Sequence, residues 1–150
     1  MKYKFHILFL NGPNLNMLGI RETEKYGCKS LKNILDDLTK YANNLNIKLS
    51  HLQSNAEFKL IDRIHESYGT VDYIIINPAA FAHTSIALRD ALLSVSIPFI
   101  EIHISNVYSR ESFRQNSYLA NISEGLMCGF GPESYLWALK IAIQKLSKIN

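Results

Sequence analysis

The amino-acid sequence predicts an open α/β fold: a five-stranded parallel sheet with helices on both faces. Short apolar runs alternate with longer segments of helical periodicity along the chain, the pattern of strands joined by crossover helices. One run, residues 71–76, is almost continuously apolar, as expected of a strand buried on both faces. Polar, chemically able residues follow the runs directly, at Asn11, Asn77 and His103. Open parallel sheets hold their ligands outside the carboxyl ends of the strands.

Each element follows from its residues. Residues 5–10 read as the first strand, and Ser30 as the N-cap of a helix bearing Leu31, Ile34, Leu35, Leu38 and Ala42 at helical spacing. Residues 47–52 form the second strand, and Asn55 or Ala56 opens a helix carrying Leu60, Ile61 and Ile64. After the strand at 71–76, the spacing predicts a helix over 83–95, with Ile86, Leu88, Ala91 and Leu92 facing inward. Residues 99–102 and 126–130 are the last strands, and 133–146 the closing helix, with Tyr135, Leu136, Leu139, Ile143 and Leu146 as its stripe. Right-handed crossovers favour the flavodoxin-like strand order 2-1-3-4-5. Residues 19–29 form a polar loop bracketed by glycines and holding Arg21, Glu22 and Tyr26. It reads either as a lid over a site or as a surface loop.

The 150 residues fit one domain, 1–150, with a sizeable core. The hydrophobic fraction of 47% and mean hydropathy of −0.02 are those of a globular protein. No run approaches the roughly 18 apolar residues that span a bilayer, and the first residues lack a signal-peptide pattern, so a cytoplasmic location is expected. Cys28 and Cys128 lie far apart in sequence, outside disulfide-framework or zinc spacing. Cys128, in an apolar run, reads as a buried, inert thiol. A net charge of +3 without a basic run argues against nucleic-acid binding. Four of the five arginines (Arg21, Arg89, Arg110, Arg114) fall in the motif segments, which suggests a need for the planar guanidinium fork.

The first strand exit lacks the dinucleotide fingerprint GxGxxG and the Walker A pattern. Asn11 and Asn77 stand where a phospho-receiver domain needs carboxylates, which argues against aspartyl-phosphate chemistry. Glu101 and His103 alternate on one strand face. A carboxylate beside an imidazole fixes its tautomer and favours the protonated ring, which suits a general acid; the plainer reading is a structural histidine at a strand end. Ile104 and Ser105 then offer backbone N–H groups and a hydroxyl as a carboxylate cradle. His83 and Asp90 would share one face of the helix at 83–95, with Thr84 and Ser85 in its first turn. Arg110 and Arg114, four apart, would share a helical face and bind a carboxylate or polyol. Tyr26 shares its polar loop with Arg21. Holding a tyrosine as phenolate near pH 7 takes about 4 kcal/mol, within reach of adjacent guanidinium groups. No metal site is expected, because no HExxH or closely spaced ligand pair supports one.

The ordered set Asn11-Gly12-Pro13-Asn14-Leu15-Asn16-x-Leu18-Gly19-x-Arg21-Glu22, Tyr26-Gly27, Asn77-Pro78-x-Ala80, His83-Thr84-Ser85-x-Ala87-Leu88-Arg89-Asp90, Glu101-x-His103-Ile104-Ser105-Asn106 and Arg110-Glu111-x-Phe113-Arg114 resembles the type II 3-dehydroquinate dehydratases. The resemblance implies a flavodoxin-like lyase that removes water from 3-dehydroquinate to give 3-dehydroshikimate in the shikimate pathway, without metal, redox cofactor or Schiff base. It implies Tyr26 as the base, Arg21 as the group holding the phenolate, and Asn14 as an enolate stabiliser. His103, oriented by Glu101, would protonate the departing hydroxyl. Asn77, Ile104 and Ser105 would take the substrate carboxylate and nearby oxygens. His83, Arg114 and Asp90 would bind ring hydroxyls, Asp90 from a neighbouring subunit, and Arg110 would stand on the lid side. A homododecamer built from trimers is implied as well. Ala82 departs from the Thr or Ser usual in the family, and the expected consequence is a lost N-cap-type bond near His83, worth about 1 kcal/mol. A polyol-binding module without turnover, and a hydro-lyase for another cyclic hydroxyketone, are the competing readings.

Overall fold

The computed structural model describes residues 2–20, 24 and 28–149, with the backbone alone at Ile149. All five apolar runs become strands: β1 (Phe5–Asn11), β2 (Ile47–Gln53), β3 (Tyr73–Asn77), β4 (Phe99–His103) and β5 (Gly125–Cys128). They form one sheet in the order β2-β1-β3-β4-β5, and every pairing is parallel. The register sets Asn11 opposite both Gln53 and Asn77, so the first three strands end flush. Between β1 and β3 the chain reverses its direction of travel across the sheet, which opens a crevice at the carboxyl ends.

Helices α1 (Leu31–Asn44), α2 (Glu57–Glu66), α3 (Ile86–Val95) and α4 (Ser134–Ile149) cover the two faces. Strand alternation divides the core. Ile7, Phe9, Tyr73, Ile75, Ile100 and Ile102 pack with α1 and α4. Leu8, Leu10, Ile74, Ile76 and Phe99 pack with α2 and α3. Each fully buried aliphatic side chain contributes roughly 1.5–3 kcal/mol. Glu101 stands on the α2–α3 side of β4, fully buried, where the alternation would otherwise place another hydrophobe.

Ser30 caps α1 as its sequence predicts, its Oγ accepting from Asn33 N at 3.1 Å. The segment at 83–95 departs from prediction. Ala79–His83 is a 3₁₀ turn, and α3 begins only at Ile86, capped by Ser85 Oγ accepting from Leu88 N at 2.9 Å. Ile86 is 55% exposed rather than inward, while Leu88, Ala91 and Leu92 are buried. β5 stops at Cys128 because Gly129 and Gly131 adopt φ of +92° and +67°, outside the extended region. Cys128 is half-buried, not buried, because β5 is the sheet's edge. At the opposite end of the sheet, His6 Nδ1 donates to Thr70 O and Nε2 accepts from Ser50 Oγ, a structural latch between β1 and β2. No described helix is long and apolar enough to cross a membrane.

Candidate active site

The site begins where β1 and β3 run out. Gly12 N donates to Asn77 O at 2.8 Å, and a Cβ at Gly12 would lie 2.2 Å from Pro78 O. Only glycine permits that approach. Asn14 follows in the left-handed region at φ 69°, a conformation asparagine tolerates. Its N–H donates to Asn55 Oδ1 at 2.9 Å. Beneath the two exits lies a buried neutral network. Tyr135 Oη donates to Asn11 Oδ1 at 2.6 Å and accepts from Asn77 Nδ2 at 3.1 Å. Asn77 Oδ1 accepts from Ala79 N at 3.2 Å, so the amide of Asn77 has one orientation. Burial pushes the Tyr135 phenol well above its ordinary range, against the smaller opposing effect of the Asn77 bond; it remains a neutral phenol.

The exit of β4 is ionic. His103 Nε2 donates to Glu101 Oε2 at 2.5 Å, with both side chains buried. A carboxylate at Nε2 leaves Nδ1 as the nitrogen available to the cavity. His83 uses Nδ1 to donate to Asn116 O at 2.8 Å, which leaves Nε2 as the ring nitrogen for other partners. The two rings stack with centroids 6.2 Å apart. Arg110 Nη1 donates to Ser105 Oγ at 3.1 Å, and Arg114 Nε donates to Glu111 Oε1 at 2.9 Å. The Arg114 bond above all, with smaller help from Glu111's own backbone and the two guanidinium charges, pulls the Glu111 carboxyl down to about 2.

A cavity of about 110 Å³ brings most of the expected residues together: Asn14, Asn77, His83, His103, Ile104, Ser105, Arg110 and Arg114 line it. Glu101 supports it from below. Asp90 does not line it; it stands exposed on α3, and because His83 belongs to the preceding 3₁₀ turn the two share no helical face. Nor do Arg110 and Arg114 share a helix. Arg110 is extended between the 3₁₀ turns Val107–Ser109 and Ser112–Gln115, and the carboxylate of Glu111 gathers the two side chains instead, 3.8 Å from Arg110 Nε. Ala82 is buried in the 3₁₀ turn, its carbonyl accepting from Tyr118 N at 2.8 Å. The N-cap belongs to Ser85, so the lost cap expected at Ala82 does not arise. Arg89 clips the chain from outside the cavity, Nη1 donating to Tyr118 O at 2.8 Å. Arg21 and Tyr26, with most of the loop at 19–29, lie outside the described residues.

Two partners of the site residues carry no local signal in sequence. Tyr135 reads as one more apolar position of a helix stripe. Ser117 lies between helical turns, yet its Oγ donates to Glu101 Oε1 at 2.8 Å. Among the described residues no group of His, Cys, Asp or Glu side chains is arranged to hold a metal ion.

The fold is a flavodoxin-like sheet whose carboxyl end gathers a carboxylate-supported imidazole, two arginines and two asparagines about one small cavity. The comparisons with known proteins narrow that description. The chain belongs to the class II dehydroquinase family, whose model ("Dehydroquinase class II") matches residues 5–143. It is 63% identical over 147 residues to the 3-dehydroquinate dehydratase of Erwinia tasmaniensis, covering 98% of each chain. Among solved structures, the type II dehydroquinase of Butyrivibrio crossotus superposes with a TM-score of 0.89 at 44% identity, covering 92% of this chain and 97% of that one. That of Propionibacterium acnes gives 0.87 at 35%, covering 95% and 99%.

Proposed function

We propose that this chain removes water from 3-dehydroquinate to give 3-dehydroshikimate, a step of the shikimate pathway toward aromatic amino acids. The observation that carries this reading is the buried Glu101–His103 pair at the β4 exit, facing a cavity that also holds Asn77, Arg110 and Arg114. A ketone holds its α-proton weakly, so a base and an enolate stabiliser must act together. Tyr26, kept as phenolate by Arg21, takes that proton, and Asn14 meets the enolate oxygen. Hydroxide leaves poorly. The Nδ1–H of protonated His103 therefore delivers a proton to the departing C1 hydroxyl, which leaves as water as the enolate collapses to the conjugated enone.

The second N–H of Asn77, with the backbone N–H groups and hydroxyl at Ile104 and Ser105, takes the substrate carboxylate. His83 and Arg114 hold ring hydroxyls, and Arg110 supports the phenolate of Tyr26. Residues 1–150 act as one catalytic domain in the cytoplasm. Asp90 completes the site of a neighbouring copy in a homododecamer of trimers. In support, Asp90 lies on the same exposed face of α3 as Ile86 and Leu93, which are 55% and 50% exposed.

Ultraviolet absorbance tests the reaction directly. Purified protein mixed with 3-dehydroquinate in chelator is expected to give a steady rise of enone absorbance, and Tyr26→Phe to lose most turnover while retaining ligand binding. A flat trace from folded wild-type protein overturns the reading.

A further inference from the structure

We infer that Ser117 is a positioning residue for the acid: it locks the carboxylate of Glu101 and, through it, the tautomer of His103. The inference rests on the reading of His103 as acid given above. Ser117 Oγ donates toward both Glu101 oxygens, 2.8 Å from Oε1 and 3.0 Å from Oε2. The same Oγ accepts from Leu119 N at 3.1 Å and from Ala120 N at 3.2 Å.

A serine hydroxyl has one proton and two lone pairs. Backbone N–H groups can only donate, so they occupy the lone pairs and leave the proton one destination. Glu101 is fully buried, and a buried carboxylate needs donors to offset the loss of water. His103 supplies one donor, to Oε2, and Ser117 the other, closest to Oε1, so each carboxylate oxygen has a donor and the group is held in one orientation.

Ser117 is itself held by its neighbours. Tyr118 N donates to Ala82 O, Arg89 Nη1 donates to Tyr118 O, and Leu119 is fully buried in the core under α2 and α3. A segment anchored this way keeps the hydroxyl aimed at Glu101. Without it, the carboxylate can turn about its terminal torsion, and the imidazole loses the partner that keeps its proton on Nε2.

The test is Ser117→Ala, with Ser117→Thr as the conservative rescue. Losing a hydrogen bond to a charged group should lower kcat about ten- to a hundredfold while KM stays within about twofold, and the threonine hydroxyl should restore most of the rate. In a Glu101→Gln background the alanine substitution should cause no further loss, because both act through one carboxylate. Nitrogen NMR of the imidazoles, recorded at a pH where the His103 ring is neutral, supplies a readout independent of turnover: one His103 tautomer in the wild type, a mixture in Ser117→Ala. A structural role in capping the turn at Ala120–Ile122 would lower the melting temperature without altering the tautomer. Should the alanine variant not fold, Ser117→Cys, a weaker donor of similar volume, is expected to shift the same observables less. Unchanged kcat and tautomer overturn the inference and leave the dehydratase reading intact. Wild-type protein inert toward 3-dehydroquinate, with the tautomer shift present, overturns the dehydratase reading alone.

Discussion

Asn11 and Asn77, at the ends of β1 and β3, are held by a phenol, whereas Glu101 and His103, at the end of β4, are held by a hydroxyl and by each other. Both networks are buried and both support the same cavity. In the first no group is charged, and each bond exchanges water for protein at a net gain of about 1 kcal/mol; its product is shape. The second keeps a carboxylate out of water, an arrangement that survives only with donors in place. On the proposed mechanism the mobile proton belongs to the second region, and the fixed amide of the first frames it.

The comparison predicts separable failures. His103→Ala should lower kcat by about 10²–10⁴ with ligand affinity little changed, as steady-state kinetics would show, and it should also cost stability, because it takes a donor from the buried Glu101 carboxylate. Tyr135→Phe should cost stability alone. It strips Asn77 Nδ2 of an acceptor and Asn11 Oδ1 of a donor, two buried groups at about 1–3 kcal/mol each. Urea unfolding should therefore lose roughly 2–6 kcal/mol, with kcat within a few-fold of the parent. A hundredfold fall in kcat at unchanged stability would mean that the phenol takes part in the chemistry, and the two regions would no longer divide the work.

The alkaline limb sharpens the same contrast. Burial first, and for Tyr73 the bond to Glu124 Oε1 next, push the Tyr73 and Tyr135 phenols above their ordinary range. A group whose folded value is raised stabilises fully below its unfolded value, about 10 for tyrosine, and loses that contribution as pH rises beyond it. The urea midpoint should hold to pH 10 and fall above it, less steeply in Tyr135→Phe. An equal slope in the variant would remove Tyr135 from this account.

Sheet order, strand identities and the Glu101–His103 pair were legible in the sequence because strand alternation is a period of two and strand exits are local. The errors share one cause. His83 with Asp90, and Arg110 with Arg114, were paired by assuming α-helical spacing through segments that form 3₁₀ turns and extended links. Such segments have no period, and their side chains converge through tertiary partners such as Asn116 O and Glu111. Ser117 and Tyr135 were invisible for a related reason: they reach Glu101 and Asn11 across separations of 16 and 124 positions.

Glu111 marks the weakest end of the comparison. It is exposed, and it holds Arg114 and Arg110 only from outside the cavity. Its carboxyl lies at about 2, below the ordinary 4.5, so its contribution is present above pH 4.5 and is lost as pH falls toward 2. Between pH 5 and 8 it does not titrate, and any pH dependence of rate there arises elsewhere. Glu111→Gln should accordingly raise KM about two- to threefold, the scale of an exposed ion pair, with kcat and the neutral pH profile unchanged. A loss in kcat instead would show that the arginines must be held for the chemical step as well as for binding, and would move the ionic region's boundary from Glu101 out to the protein surface.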